Sequence, residues 1–191
     1  MISLPKLILA SASPRRAEIL TAVGWEFEKQ VTDIDESILR GETAEDYVQR
    51  LAAEKARVIA EKNADAIVLG ADTTVVIDEK IIGKPKDLDE AGEMIKILSG
   101  NWHEVLTGVA IVRNSETLVD FQRTSVKFAQ MNEDEIEFLV QKGKPLDKAG
   151  AYAVQEQAAL FIEKIEGDYW NVVGLPVNLI YSLVKAANKK G

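Results

Sequence analysis

The amino-acid sequence predicts an α/β fold built on a mixed β-sheet. Short apolar runs bounded by small or turn-forming residues, Leu7–Ala10 and Ala66–Leu69, read as buried strands. Amphipathic helical stretches alternate with such runs along the chain. Two further strands, Val105–Val112 and Leu118–Phe128, flank the polar turn Asn114-Ser115 as a hairpin, so parallel and antiparallel pairing are both expected. With 191 residues, 47% hydrophobic and 28% charged, the chain is long enough to bury a real core.

In order, Leu7–Ala10 breaks into the small-residue turn Ser11-Ala12-Ser13. A helix follows from Arg15 to Val23, with Ser13 placed as N-cap, Pro14 at the first helical position and Gly24 as its stop. Trp25–Val31 reads as a strand, and Asp33 to Glu36 opens an acidic loop. The longest helix runs from Thr43 to near Glu61, with Asp46 in the capping-box position and an apolar stripe of Val48, Leu51, Ala52, Ala56 and Ile59. Ala66–Leu69 ends at Gly70-Ala71-Asp72. Thr73–Ile77 continues extended to a turn at Asp78-Glu79, and Gly83-Lys84-Pro85 interrupts the chain after Ile81-Ile82. Asp87 and Glu90 open a helix over Leu88–Leu98 that Gly100 stops. After the hairpin, Asn132 caps a helix to about Lys142 with Glu135 at N3. A charged loop, Lys144–Gly150, a strand at Leu160–Ile165, and a last helix from Val177 to Ala187 after Gly174-Leu175-Pro176 complete the chain.

Composition excludes several functions. A formal net charge of -8 argues against duplex nucleic acid or an anionic membrane as main partner, while allowing a small anion in a local basic pocket. The absence of cysteine removes disulfides, thiolate metal sites and a cysteine nucleophile, and fits a cytoplasmic protein. No signal peptide and no membrane-spanning stretch is expected. The one histidine, His103, rules out multi-histidine metal sites and reads as a structural residue. Trp25, Trp102 and Trp170 read as core.

The candidate chemistry lies at turns. Arg15 and Arg16 occupy the first turn of a helix, where cations oppose the dipole. This suggests that they serve an anionic ligand at the helix N-terminus; the plainer reading is two solvated arginines. Lys55 lies seven residues after Val48 and shares its inward stripe, so it either snorkels out or reaches a buried anion. Asp72 follows a buried strand, the end at which open α/β sheets place ligands, although a turn-forming aspartate has the same local pattern. Asp35 and Glu36 offer oxygen ligands for Mg²⁺, or form a solvated acidic turn. Lys84 is a fixed charge between Gly83 and Pro85. Asp147 and Lys148 form either an internal pair or part of the site. Basic clamps with carboxylates fit metal-assisted attack of water on a polyphosphate. There is no P-loop and no dinucleotide fingerprint.

Taken together, LASASPRR, the LAAEKA helix, LGADTTVV, GKP, LSG, DKAGAYAVQ and GLP resemble the Maf family of nucleoside triphosphate pyrophosphatases, from Leu7 to about Leu183. The resemblance implies one domain over 1–191 with two lobes, an elongated α/β fold with a mixed sheet akin to inosine triphosphate pyrophosphatases, a nucleotide in a cleft between the lobes, and homodimers. It implies hydrolysis to the monophosphate and pyrophosphate with a divalent cation, Mg²⁺ or Mn²⁺. Asp72 matches the proposed proton acceptor and, with Asp35, the metal position. Ser11, Arg15, Lys55 and Lys84 match the phosphate-handling set, which Arg16 adjoins.

Within that family Arg15, Thr73 and Gln155 look like the dTTP/UTP branch, and a buried glutamine amide can match a pyrimidine edge. Ala153 stands where relatives often carry glycine, and Asp35 where they often carry glutamate. Two alternatives stay open: a pyrophosphatase for 7-methyl-GTP or other modified nucleotides, and a nucleotide-binding regulator of septum formation.

Overall fold

The computed structural model describes residues 4–189. Seven strands form one mixed sheet flanked by helices, in the order β2-β1-β3-β5-β6-β7, with β4 paired to β3. The chain divides into two compact units, and each is taken by itself.

The first unit comprises the chain through Asp72, Thr107–Gln122, and Gly174 onwards. Strand β1 (Leu7–Ala10) is buried along its whole length. Helix α1 (Pro14–Ala22) follows, with Pro14 preset for the first turn; Ser13 holds the cap position without a side-chain cap bond, and its N–H donates to Ser11 Oγ instead. Strand β2 is shorter than expected, Phe27–Gln30, because Trp25 turns inward and its indole N–H donates to Pro5 O. Both β2 and β3 (Ile67–Ile77) pair parallel with β1, Ala10 facing Gln30 on one side and Gly70 on the other.

Helix α2 (Ala44–Ala60) lays small side chains on the sheet. Ala52, Ala53, Ala56 and Ile59 pack with Ile8, Ala10, Val68, Ala110 and Val112. Two glycines permit the close approach. A Cβ on Gly70 would stand 2.1 Å from Ala52 O, and one on Gly108 2.2 Å from Val48 O. The Thr43 hydroxyl accepts from the Asp46 N–H and donates to the Asp46 carboxylate, closing the helix start. Helix α6 (Val177–Lys189) buries Ile180, Val184 and Ala187.

The second unit comprises Thr73–Leu106 and Arg123–Val173. The second half of β3 pairs antiparallel with β4 (Lys80–Ile82) through a two-residue turn in which Asp78 and Glu79 have φ of 48° and 62°. The same left-handed device at Asn114 and Ser115 joins β5 (Trp102–Arg113) to β6 (Glu116–Phe128). Helix α3 (Leu88–Leu98) and helix α4 (Glu133–Lys142) start at Asp87 and Asn132, and Asn132 with Glu135 forms the full capping box. At α3 the Glu90 carboxylate accepts from Lys86 N–H rather than from the cap residue. Ala91, Ile95 and Leu98 from α3 meet Val105, Val126, Phe128, Leu139 and Tyr152 in this unit's core. Short 3-10 turns at Pro145–Asp147, Ala149–Ala151 and Gln157–Leu160 precede β7 (Ile162–Glu166), which pairs antiparallel with β6. Helix α5 (Tyr169–Val173) had no periodic signal, being little more than one turn long.

One expectation about β3 needs correction. Asp72 does not end a strand; it lies in the middle of an eleven-residue one. What ends is its neighbour. β1 stops at Ala10 opposite Gly70, so Asp72 stands just beyond the carboxyl end of the parallel pair.

Candidate active site

The strand order turns back at β1, which has β2 on one side and β3 on the other. The space beyond the carboxyl end of such a strand is where open α/β sheets bind ligands. Ser11 follows β1 into this space, and Asp72 enters it from β3. Both are buried, Asp72 at 8% exposure.

Lys55 reaches them from α2. Its ammonium is 2.7 Å from Asp72 Oδ1 and 2.6 Å from Glu36 Oε1, so one cation draws two carboxylates together. The reach depends on Gly70, since Lys55 sits on the helix between Ala52 and Ala56, the two residues that a Cβ there would strike. Burial pushes the Asp72 carboxyl above the usual carboxylate range, and Lys55 and Arg16 oppose that shift.

Arg16 is buried. Its Nε donates to Gly174 O at 2.9 Å, and one terminal nitrogen donates to Ser11 Oγ at 3.0 Å and Ala71 O at 2.8 Å. Burial lowers its proton affinity, and Asp72 works against that. It thereby ties the end of β1 to β3 and to the chain before α6. Arg15, one position earlier on α1, is half-buried.

The acidic loop splits into two roles. Asp35 is exposed; its Oδ1 accepts from Ser37 N–H, and Ser37 holds its carboxyl below the ordinary range. Glu36 is the member that reaches Lys55. The loop is fastened to α2 by two residues with no sequence-level role. The Tyr47 hydroxyl donates to Glu36 O at 3.0 Å, and Arg50 donates to Ser37 O at 3.0 Å. Spacing on α2 offers a signal for Tyr47 alone, about two turns before Lys55; Arg50, five residues before it, lies about 140° round the helix.

Thr73, Lys84, Lys148 and Gln155 belong to the second unit. Thr73 is half-buried and Lys84 exposed. Gly83 O accepts from Gly150 N–H, which links the Lys84 turn to the segment leading to Gln155. Lys148, 4% exposed, donates to Lys144 O at 2.7 Å and Asp147 Oδ1 at 3.0 Å, and lies 3.5 Å from Glu156. The internal pair is therefore present. Gln155 is exposed rather than buried, because the turn at 154–156 carries it to the surface. His103 is a core residue, with Nε2 2.7 Å from Tyr152 Oη and edge-on to Phe128. Of the tryptophans, Trp25 is core, whereas Trp102 and Trp170 are exposed.

A model of the Maf-like protein family matches residues 6–187. The chain belongs to the Maf-like family. It is 45% identical over 183 residues to a protein of Bacillus anthracis named dTTP/UTP pyrophosphatase, covering 96% of each. It is 44% identical over 186 residues to one of that name from Bacillus cereus, covering 97% of this chain and 92% of the relative. The Staphylococcus aureus Ham1 structure shares the fold, with a TM-score of 0.57 at 14% identity over 96% of this chain and 100% of that one. In this member of the family the buried carboxylate, its lysine and the arginine beneath them all come from the first unit. No described helix is long and apolar enough to cross a membrane.

Proposed function

We propose that the chain hydrolyses nucleoside triphosphates to the monophosphate and pyrophosphate, with dTTP and UTP preferred. The observation that carries this reading is the Lys55 ammonium held between Asp72 and Glu36 beyond the carboxyl end of β1. The names of relatives 44–45% identical over nearly the whole chain support the substrate class.

In this reading Asp72 takes the proton of a water whose oxygen attacks the α-phosphorus. The new P–O bond forms as the bond to the α–β bridging oxygen breaks, and pyrophosphate leaves with that electron pair. Burial raises the proton affinity of the Asp72 carboxylate, which suits a base, and Lys55 at 2.7 Å opposes that rise. Lys55, Arg15 and Lys84 offset phosphate charge, while Ser11 and the first amides of α1 offer donors. Arg16 holds Ser11 and Ala71 in place from behind.

Two carboxylates converging on one cation suit Mg²⁺ or Mn²⁺, which takes one or two carboxylates plus substrate phosphates. Asp72 and Glu36 would hold it, with Asp35, the position expected from the sequence, beside them in the chain. Bound there, it would offset charge on the phosphoryl oxygens. Thr73 and Gln155 are proposed to read the base. A nucleotide substrate and a chain without cysteine support a cytoplasmic setting, and a second copy of the chain is the proposed partner.

The test is pyrophosphate release from dTTP, UTP, CTP, ATP, GTP and 7-methyl-GTP with Mg²⁺ or Mn²⁺. Monophosphate and pyrophosphate from dTTP and UTP are expected. Diphosphate plus orthophosphate would overturn the point of attack, preference for 7-methyl-GTP the substrate, and nucleotide binding without turnover the enzyme reading.

A further inference from the structure

We propose that Tyr47 and Arg50 are positioning residues that hold the acidic loop by its backbone and so deliver the Glu36 carboxylate to Lys55 and Asp72. The inference rests on the pyrophosphatase reading for its kinetic arm alone.

The loop between β2 and α2, residues 31–43, contains no regular element. A structureless connection of this length inside a compact unit is uncommon and usually functional. Apolar packing fixes little of it, since Val31, Ile38 and Leu39 are 59%, 52% and 53% exposed and only Ile34 among its large apolar side chains is half-buried. Polar ties to α2 fix more. Tyr47 Oη donates to the carbonyl of Glu36 itself. Arg50 donates to the next carbonyl, Ser37 O, from the same guanidinium that grips Glu42 with Nε at 2.6 Å and a terminal nitrogen at 2.9 Å. The Glu42 carboxylate in turn accepts from Leu39 N–H at 2.9 Å. The Arg50 guanidinium lies 5.7 Å from the centre of the Tyr47 ring, so the two side chains support one another.

The direct ties from α2 reach the backbone carbonyls of Glu36 and of the next residue, Ser37. The carboxylate itself lies 2.6 Å from the Lys55 ammonium. With Tyr47 eight residues and Arg50 five residues before Lys55 on one helix, clamp and ammonium move as a body. A rigid helix presenting both the anchor and the charge holds such a geometry better than a loop does. Glycine-seated α2 therefore sets two things at once: where Lys55 meets Asp72, and where Glu36 meets Lys55.

The experiment is a double-mutant cycle of Tyr47→Phe and Arg50→Lys against Glu36→Gln, reading kcat and KM for dTTP, with hydrogen–deuterium exchange of the 36–39 amides and thermal melting alongside. Tyr47→Phe removes a single donor and should fold. The expected result is a kcat lower by about tenfold to a hundredfold with KM little changed, the scale of a small misplacement at a reacting site. Exchange at 36–39 should quicken. In the Glu36→Gln background neither substitution should cost anything further, because the clamp acts through that carboxylate. Full additivity with Glu36→Gln would overturn the proposal, as would unchanged exchange at 36–39. If the wild-type chain releases no pyrophosphate, the pyrophosphatase reading fails, and the exchange data still decide the clamp.

Discussion

The Lys55 ammonium lies 2.7 Å from the Asp72 carboxylate, and both side chains are 12% exposed. A pair this buried is asymmetric in its response to mutation: removing one partner leaves the other charge uncompensated in a poorly solvated place. Asp72→Asn keeps an acceptor for Lys55, and Glu36 still balances the ammonium. It should cut turnover by about 10²–10⁴-fold, the usual cost of losing a general base, with melting near wild type. Lys55→Met leaves Asp72 and Glu36 facing each other and should cost about 3–5 kcal/mol in stability as well as activity. Urea unfolding of both variants checks this. Equal destabilisation by the two, or turnover of Asp72→Asn within a few-fold of wild type, would remove the assigned roles.

Gly70→Ala should be nearly as damaging as losing a catalytic group, though it touches no charge. The added methyl would stand 2.1 Å from Ala52 O and 2.9 Å from Ala56 Cβ and N. Those neighbours belong to the helix backbone and its own methyl, so α2 must retreat as a whole. Overpacking of this kind costs about 1–3 kcal/mol. The retreat also draws Lys55 away from Asp72, so kcat should fall further than the loss of folded protein explains. Activity per folded molecule, measured below the shifted melting point, separates the two effects; an unchanged value would mean the contact does not depend on this approach.

These two cases mark where the sequence was legible. The Lys55 stripe could be read because helical period alone puts it beside Val48 and Ala52, and Asn132 with Glu135 because a capping box is local. The position of Asp72 was misread as a strand end because the end belongs to β1, a partner sixty residues away in sequence. Arg15 and Arg16 are adjacent, and only packing decides that Arg16 turns inward to Ser11, Ala71 and Gly174. Asp35 and Glu36 pose the same problem in a loop with no period at all. Tyr47 and Arg50 hold backbone carbonyls, and a carbonyl carries no residue identity for a motif to record.

Acid stability should report on His103. Burial lowers its pKa from the ordinary 6.5 to about 4, so folding favours the neutral ring. The unfolded chain therefore binds the proton first. The stability this residue contributes is complete above about pH 6.5 and is lost as pH falls from there towards 4, at most about 3 kcal/mol. His103→Gln keeps a polar group for Tyr152 but does not titrate. Its urea midpoint should vary less with pH between 7.5 and 4.5 than that of the wild type, against a shared background from the carboxylates. Parallel slopes for the two proteins would place the acid response elsewhere.

Base selectivity should depend on Gln155, and its exposure changes how. In the free protein this amide is solvated, so an unpaired group costs little until a base covers it. Uracil and thymine present carbonyl acceptors and an N3–H donor, and one amide orientation answers one of each. Cytosine presents an amino group and a bare N3, which that orientation leaves unpaired. A buried unpaired group costs on the order of 1–3 kcal/mol, or about 5- to 150-fold in kcat/KM. An exposed glutamine can also flip to suit cytosine, so the lower end of that range is expected for dTTP and UTP over CTP. Gln155→Glu replaces a donor with an acceptor that cytosine's amino group can meet and uracil's O4 cannot. The preference for dTTP and UTP over CTP should shrink by fivefold or more, while the melting temperature stays put because an exposed side chain contributes within about 0.5 kcal/mol. If the ratio of kcat/KM values is the same in the variant, Gln155 does not read the base, and selectivity must be sought at Thr73 and Arg15.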